Sequence, residues 1–177
     1  MIFETARLLV RPWSTDEAEA VFPIYRDPEV TRYLGNSRTH LNLADSREWL
    51  ARIAARNAAA TGGLGMWAAV VKATDQPVGS IGLGPLDGGP EIEVGYHLGR
   101  EAWGQGYATE LARGALGYGF ATLGLTRVVG VTFPENIASQ RVLTKAGLRH
   151  QGCGQYYGYE LEYFALDAAD YARLSQD

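Results

Sequence analysis

Few short segments restrict a fold as strongly as a strand that runs through a glycine turn directly into a helix. In this chain Glu91 to Leu98 alternates apolar and polar residues, Trp103-Gly104-Gln105-Gly106 follows, and a helical pattern opens at Tyr107. Glycines next to a helix start let the backbone approach a ligand. The first-turn N–H groups lack intrahelical partners, and the helix dipole adds positive potential there. The stretch Trp103 to Glu110 is thus either a plain turn or a phosphate cradle, and its neighbours must decide. On the strand, Ile92, Val94, Tyr96 and Leu98 share a core face, while Glu91, Glu93, Gly95 and His97 share a polar one. Gly95 marks a bulge or a close approach by backbone or ligand.

The rest of the chain supplies elements to flank this unit. Arg7 to Trp13 reads as a first strand closed by Pro12. Ser14 and Glu17 form a capping-box pattern ahead of a helix with the stripe Ala18, Val21, Phe22 and Tyr25, shortened or kinked at Pro23. A brief helical turn from Asp27 ends near Gly35. A second helix is expected from Asp45 to about Ala60, with Trp49, Ile53 and Ala54 on one face. Its other face is arginine-rich, and the charge pattern of Arg47, Arg52 and Arg56 reads as solvated surface rather than a site for an acidic substrate.

Strands Met66 to Lys72 and Pro77 to Gly84 form a hairpin through Ala73 to Gln76, and Pro85 to Pro90 is a loop. Beyond the glycine turn a helix runs from Tyr107 to Phe120, where Gly114, Gly117 and Gly119 mark close packing, and Gly124 ends it. Thr126 to Phe133 is a buried strand. Asn136 opens a helix over Ile137 to Lys145, stopped by Gly147. Strands Leu148 to Cys153 and Glu160 to Leu166 are joined by a turn framed by Gly154 and Gly158, and a short helix spans Ala168 to Leu174.

Composition removes several function classes. With 177 residues, 46% hydrophobic and 20% charged, the chain 1–177 is expected to be one domain with a full core. No apolar run approaches the roughly 18 residues of a membrane span, and the start lacks the order of a secretory signal, so a cytoplasmic, non-membrane protein is expected. The single cysteine, Cys153, offers no internal disulfide and no zinc pair, and reads as a small core residue; no metal is expected. A net charge of −4 argues against nucleic acid as the main ligand. Monomer and homodimer both remain open.

Pattern separates the phosphate-site classes. A Walker loop needs Gly-x-x-x-x-Gly-Lys, which is absent, and a dinucleotide fingerprint needs a third glycine where Tyr107-Ala108-Thr109 stands. Four ordered segments remain: Glu93-Val94-Gly95-Tyr96-His97-Leu98, Trp103 to Glu110, Pro134-Glu135-Asn136-Ile137-Ala138-Ser139-Gln140-Arg141-Val142-Leu143, and Lys145-Ala146-Gly147-Leu148. Together they resemble the GNAT superfamily of acetyl-CoA-dependent N-acetyltransferases, nearest to its RimJ/RimL-like branch, whose namesakes acetylate ribosomal-protein N-termini. Arg7 to Trp13, Asp27 to Leu34 and Tyr157 to Asp167 extend the likeness over nearly the whole chain.

The resemblance implies an α/β fold, a mixed, mostly antiparallel sheet flanked by helices, with splayed central strands. It implies that Trp103, Gly104, Gln105, Gly106, Tyr107 and Ala108, with Thr109, cradle the coenzyme's pyrophosphate. Trp103 departs from the usual Gln or Arg. The pantetheine arm is implied to pair with backbone near Val94, Tyr96 and Leu98, in a splay between the strands Glu93 to Leu98 and Thr126 to Phe133, with Asn136 beside it.

Amide formation from a thioester needs a base, an oxyanion donor and a donor for the departing thiolate. Glu93 is the first candidate base and His97 the second. The implied oxyanion donor is a backbone N–H near Tyr96. Many relatives place a tyrosine where Leu143 stands here, so Ser139 is the candidate thiolate donor, against the plainer reading of a serine bonding its own backbone. Arg141 and Lys145 read either as contacts to the cofactor's terminal phosphate or as a solvated basic face. Tyr156, Tyr157, Tyr159 and Trp49 are candidates for the acceptor pocket or for core. The expected reaction is acetyl transfer to a primary amine, on a small molecule or on a peptide or protein N-terminus. The alternative is an idle acyl-CoA-binding or sensor protein.

Overall fold

The computed structural model describes residues 1–35 and 39–174. Among them eight strands and six α-helices alternate: β1 Phe3–Glu4, β2 Leu8–Arg11, α1 Ala18–Tyr25, α2 Pro28–Thr31, α3 Leu43–Ala59, β3 Gly65–Val71, β4 Gln76–Pro85, β5 Ile92–Leu98, α4 Tyr107–Gly117, β6 Arg127–Thr132, α5 Ile137–Ala146, β7 Arg149–Tyr156, β8 Tyr159–Asp167 and α6 Ala168–Leu174. All strands form one sheet in the order β1-β2-β3-β4-β5-β6-β8-β7. Every pairing is antiparallel except β5 with β6. A parallel neighbour needs a crossover, and α4 supplies it.

The sheet is covered on both faces, and β3 shows this in its side chains. Trp67 and Ala69 point into a core with Leu111, Ala115 and Leu116 of α4, whereas Ala68 and Val70 point into a second core with Val21 and Ile24 of α1 and Leu50 and Ile53 of α3. A strand buried on both sides needs no polar alternation, which is why β3 reads as a continuous apolar run. On β5 the expected division holds. Val94 and Leu98 join the α4 core, and the opposite face turns His97 toward Tyr25 of α1.

Several boundaries differ from the sequence expectation for local reasons. Strand β1 was not expected, and Glu17 takes half of the capping box by accepting from the Ser14 amide at 2.7 Å, while the Ser14 hydroxyl bonds Asp16 instead. The full box belongs to α3: Asn42 accepts from the Ala44 and Asp45 amides, so that helix starts earlier than Asp45. Helix α4 continues past Gly117 as a π-turn over Tyr118–Thr122. A Cβ added at Gly114 would lie 2.7 Å from the Phe3 ring, which accounts for glycine in that helix.

Gly154 lies inside β7. The turn to β8 is Tyr157-Gly158, both at positive φ (54° and 81°), the pair of conformations that fits a tight hairpin. Cys153 is exposed rather than a core residue. Gly95 carries no bulge, since β4 and β5 stay in register through Gly82↔Gly95. Among the described residues no helix is long and apolar enough to cross a membrane.

Candidate active site

The sheet opens where its two parallel strands meet. β5 and β6 pair at one register position, Glu93↔Val129, and part beyond it. The gap widens into a cleft of about 1520 Å³ lined by Val94 to Leu98 on one side and by Val131, Thr132 and Phe133 on the other. Unpaired strand edges inside a fold leave N–H and C=O groups for another extended chain to use.

At one end of this cleft lies the glycine turn. Gly106 is the N-cap of α4 in the left-handed conformation (φ 79°), with no side chain capping the first turn. Gly104 is also left-handed (φ 73°), and a Cβ built on it would meet nothing within 4 Å. Uncapped N–H groups at a helix start, approached through backbone without side chains, suit a pyrophosphate. Trp103, Gly104, Gly106, Tyr107, Ala108 and Thr109 line the cleft, as do Asn136, Ser139, Arg141 and Lys145 of the α5 region. Gln105 departs from its expected place. Its amide turns back to the Glu101 carbonyl (2.7 Å), outside the cleft lining. The Trp103 indole donates to the Leu98 carbonyl at 2.8 Å, so this unusual residue anchors the turn to the end of β5.

A clamp that sequence reasoning missed holds the turn from behind. Glu110 accepts from the Thr5 hydroxyl (2.6 Å), the Arg7 amide (2.8 Å) and Arg7 Nε (2.7 Å), while Arg7 Nη1 donates to the Gln105 carbonyl and its guanidinium lies 4.6 Å from the Tyr107 ring centroid. Glu110 is held below its usual pKa by these bonds against the opposing effect of burial. The signal lies in residue types a hundred positions apart, which no local pattern joins. Glu110→Ala should raise KM for acetyl-CoA by a factor of roughly 5–30, about 1–2 kcal/mol, with kcat nearly unchanged in steady-state assays.

At the mouth of the splay, Glu93 accepts a 2.6 Å bond from the Tyr157 hydroxyl. Burial raises its pKa, while the Tyr157 bond and the nearby Arg56 charge oppose that rise. Burial pushes the Tyr157 phenol up to about 12, so it stays a donor. Across the cleft Asn136 caps α5 by accepting from the Ser139 amide (3.2 Å), and the Ser139 hydroxyl meets the Tyr96 hydroxyl at 3.0 Å. Ser139 thus meets β5 through a side chain, Tyr96, singled out only for its backbone, while Glu93 is bonded by Tyr157. Leu143 is fully buried in the α4 core.

His97 sits deeper. Its Nδ1 lies 3.4 Å from the Tyr25 hydroxyl, which also bonds Ser80, and burial pulls its pKa down to about 4. Tyr157, Tyr159 and Trp49 line the cleft, whereas Tyr156 stacks on Tyr163 away from it. Among the described residues no group of three or more His, Cys, Asp or Glu gathers to hold a metal.

A family model described as "Acetyltransferase (GNAT) domain" matches residues 7–149. The chain belongs to the GNAT acetyltransferase family. It is 33% identical over 161 residues, 90% of this chain and 89% of the other, to "Uncharacterized N-acetyltransferase YoaA" of Bacillus subtilis (strain 168). It is also 33% identical over 156 residues, 82% of this chain and 64% of the other, to "FsC-acetyl coenzyme A-N(2)-transacetylase" of Aspergillus fumigatus. An acetyltransferase structure (GNAT family) from Bacillus anthracis superposes with TM-score 0.79 at 24% identity, covering 94% of this chain and 98% of that one, which shows the same fold. The mixed, mostly antiparallel sheet flanked by helices is thus the GNAT fold, and the chain is an acetyl-CoA-dependent N-acetyltransferase.

Proposed function

We propose that the chain, acting as one domain, transfers the acetyl group of acetyl-CoA to a primary amine by direct attack on the thioester, with Glu93 as base and Ser139 as thiolate donor. The observation that carries the reading is the position of the Glu93 carboxylate, with its pKa raised by burial, at the point where β5 and β6 separate. The ammonium of the acceptor gives its proton to Glu93, directly or through a water. The freed nitrogen pair attacks the acetyl carbon, a backbone N–H near Tyr96 receives the oxyanion, and the C–S bond breaks as the tetrahedral carbon collapses. The thiolate takes a hydrogen bond from the Ser139 hydroxyl, and the second proton lost by the attacking nitrogen passes to the sulfur as the amide forms. Tyr96 stands behind that serine at 3.0 Å, and its phenol, kept protonated by burial, holds the hydroxyl in place.

The uncapped turn at Gly104 to Thr109 supports binding of the coenzyme's pyrophosphate, the splay supports the pantetheine arm along Val94, Tyr96 and Leu98, and Asn136 borders that arm. The name of the Aspergillus fumigatus relative, a transacetylase using acetyl coenzyme A, supports the same donor. The Arg7 to Trp13 and Tyr157 to Asp167 segments favour the RimJ/RimL-like branch, and the single cysteine suits the cytoplasm. A thiol-release assay with peptides, polyamines and amino acids tests the reaction. Release of CoA well above hydrolysis with at least one amine class is expected. Tight acetyl-CoA binding without amine-dependent release would make the chain an idle acyl-CoA binder.

A further inference from the structure

The acceptor half of the cleft carries several charges, and most of them neutralise one another. Glu29 pairs with Arg32 at 3.4 Å and Glu48 with Arg52 at 2.8 Å, while Asp45 is committed to the start of α3 by accepting from the Leu41 amide at 2.6 Å. Two charges remain beside each other, Glu93 and Arg56. Arg56 is exposed, as expected, but not on the face away from Trp49: it follows Trp49 by seven residues and Ile53 by three, which puts all three on one stripe, and it lines the cleft with them.

Its guanidinium is placed by an absence of side chain. A Cβ on Gly84 would stand 2.9 Å from Arg56 Nη2, so the glycine leaves the slot in which the cation lies on the sheet. Gly84 is the cross-strand partner of Glu93. Residues opposed in this way project on one face with Cα atoms about 5 Å apart. Arg56 and Glu93 are thus neighbours, near enough for the cation to favour the charged carboxylate, but beyond the 4.0 Å of an ion pair. Among the described residues the Arg56 guanidinium has no hydrogen bond or ion pair.

From this geometry we infer that the acceptor is a free α-amino acid, whose amine is delivered to Glu93 while its carboxylate is taken by Arg56. The inference rests on Glu93 marking the amine's place, as proposed above. A carboxylate separated from the nitrogen by a single carbon matches a cation separated from the base by one strand. Arginine suits the role, because its planar fork binds a carboxylate in a bidentate manner. A wall of rings, with Tyr25 4.8 Å from Trp49 and 5.2 Å from His40, lines the same cleft about two helical turns (~10 Å) along from Arg56, where a long substrate side chain would end. A peptide N-terminus, which carries an amide carbonyl in place of that carboxylate, leaves Arg56 unmatched.

The test compares initial rates of CoA release for the common α-amino acids, their amides and their decarboxylated amines, with wild type, Arg56→Ala, Arg56→Lys and, as a control on the opposite face of α3, Arg47→Ala. At least one amino acid should exceed its amide and its amine in kcat/KM. Arg56→Ala should raise KM for that acid by roughly tenfold to a hundredfold while leaving the plain amine within about twofold. Arg56→Lys should restore part of the loss, and Arg47→Ala should change nothing. Equal use of acids, amides and amines overturns the inference, as does an Arg56→Ala loss of the same size for all three, which would mean that Arg56 only tunes Glu93. Turnover confined to peptides or polyamines removes the amino-acid acceptor and leaves acetyl transfer standing. No amine-dependent release from any amine removes both.

Discussion

Glu93→Gln should lower kcat/KM by about 10²- to 10⁴-fold, the range of a positioned base, with KM for acetyl-CoA unchanged. Glutamine keeps the shape and still accepts from the Tyr157 hydroxyl, so the loss belongs to proton transfer. Because burial raises the Glu93 pKa above the ordinary 4.5, the wild-type rate should climb with pH through that raised value, and the climb should vanish in the variant. Stability should move the other way. A carboxyl whose folded pKa is raised favours the fold when protonated; that contribution is complete below the unfolded value and is lost as pH rises through the folded one. Glutamine never ionises, so the variant's Tm should exceed that of the wild type at neutral pH and approach it below about 4.5. Rates of CoA release across pH, paired with thermal melts, check both signs. Unchanged turnover at every pH would remove Glu93 as the base.

What could be read from the chain follows the range of the forces involved. The two faces of β5, the cap at Asn136, the stop at Gly147 and the helix Ala168 to Leu174 are local matters of alternation, capping and backbone conformation, and the structure has them as expected. The left-handed turn into α4 was legible from its two glycines, while its reading as a cradle depended on the segments around it. Hidden features were those made by approach across the fold. Tyr96 meets Ser139 only because β5 and α5 face each other across the splay, and Glu110 meets Thr5 and Arg7 only because α4 packs on the first strands. Arg56 is a different case. Its helical spacing from Trp49 was in plain view, but sorting α3 by charge rather than by angle put it on the wrong face. Cys153 shows a related limit, since a small residue says little about whether its strand faces core or water, and β7 at the sheet edge leaves it exposed.

His97 should make the fold acid-labile. It lies among Tyr25 of α1 and Ser80 of β4, and burial lowers its pKa from 6.5 to about 4. The unfolded chain takes up a proton that the native imidazole refuses, so stability is lost as pH falls from the unfolded value toward the folded one. At about 1.4 kcal/mol per pKa unit the full loss is roughly 3 kcal/mol, a large share of a typical domain's stability. His40, whose pKa is also lowered by burial, adds in the same direction. His97→Gln, which stays neutral, should therefore show a smaller drop in urea midpoint between pH 7.5 and 4.5 than the wild type, and an equal drop would refute the assignment. The same variant bears on catalysis. An imidazole without a proton throughout the working range contributes no ionisation to the rate profile, so His97→Gln should keep the climb in rate with pH that Glu93→Gln abolishes. One variant then alters the acid side of stability and the other the acid side of activity, which is the separation expected if the base is at the mouth of the splay and the histidine is part of the wall behind it.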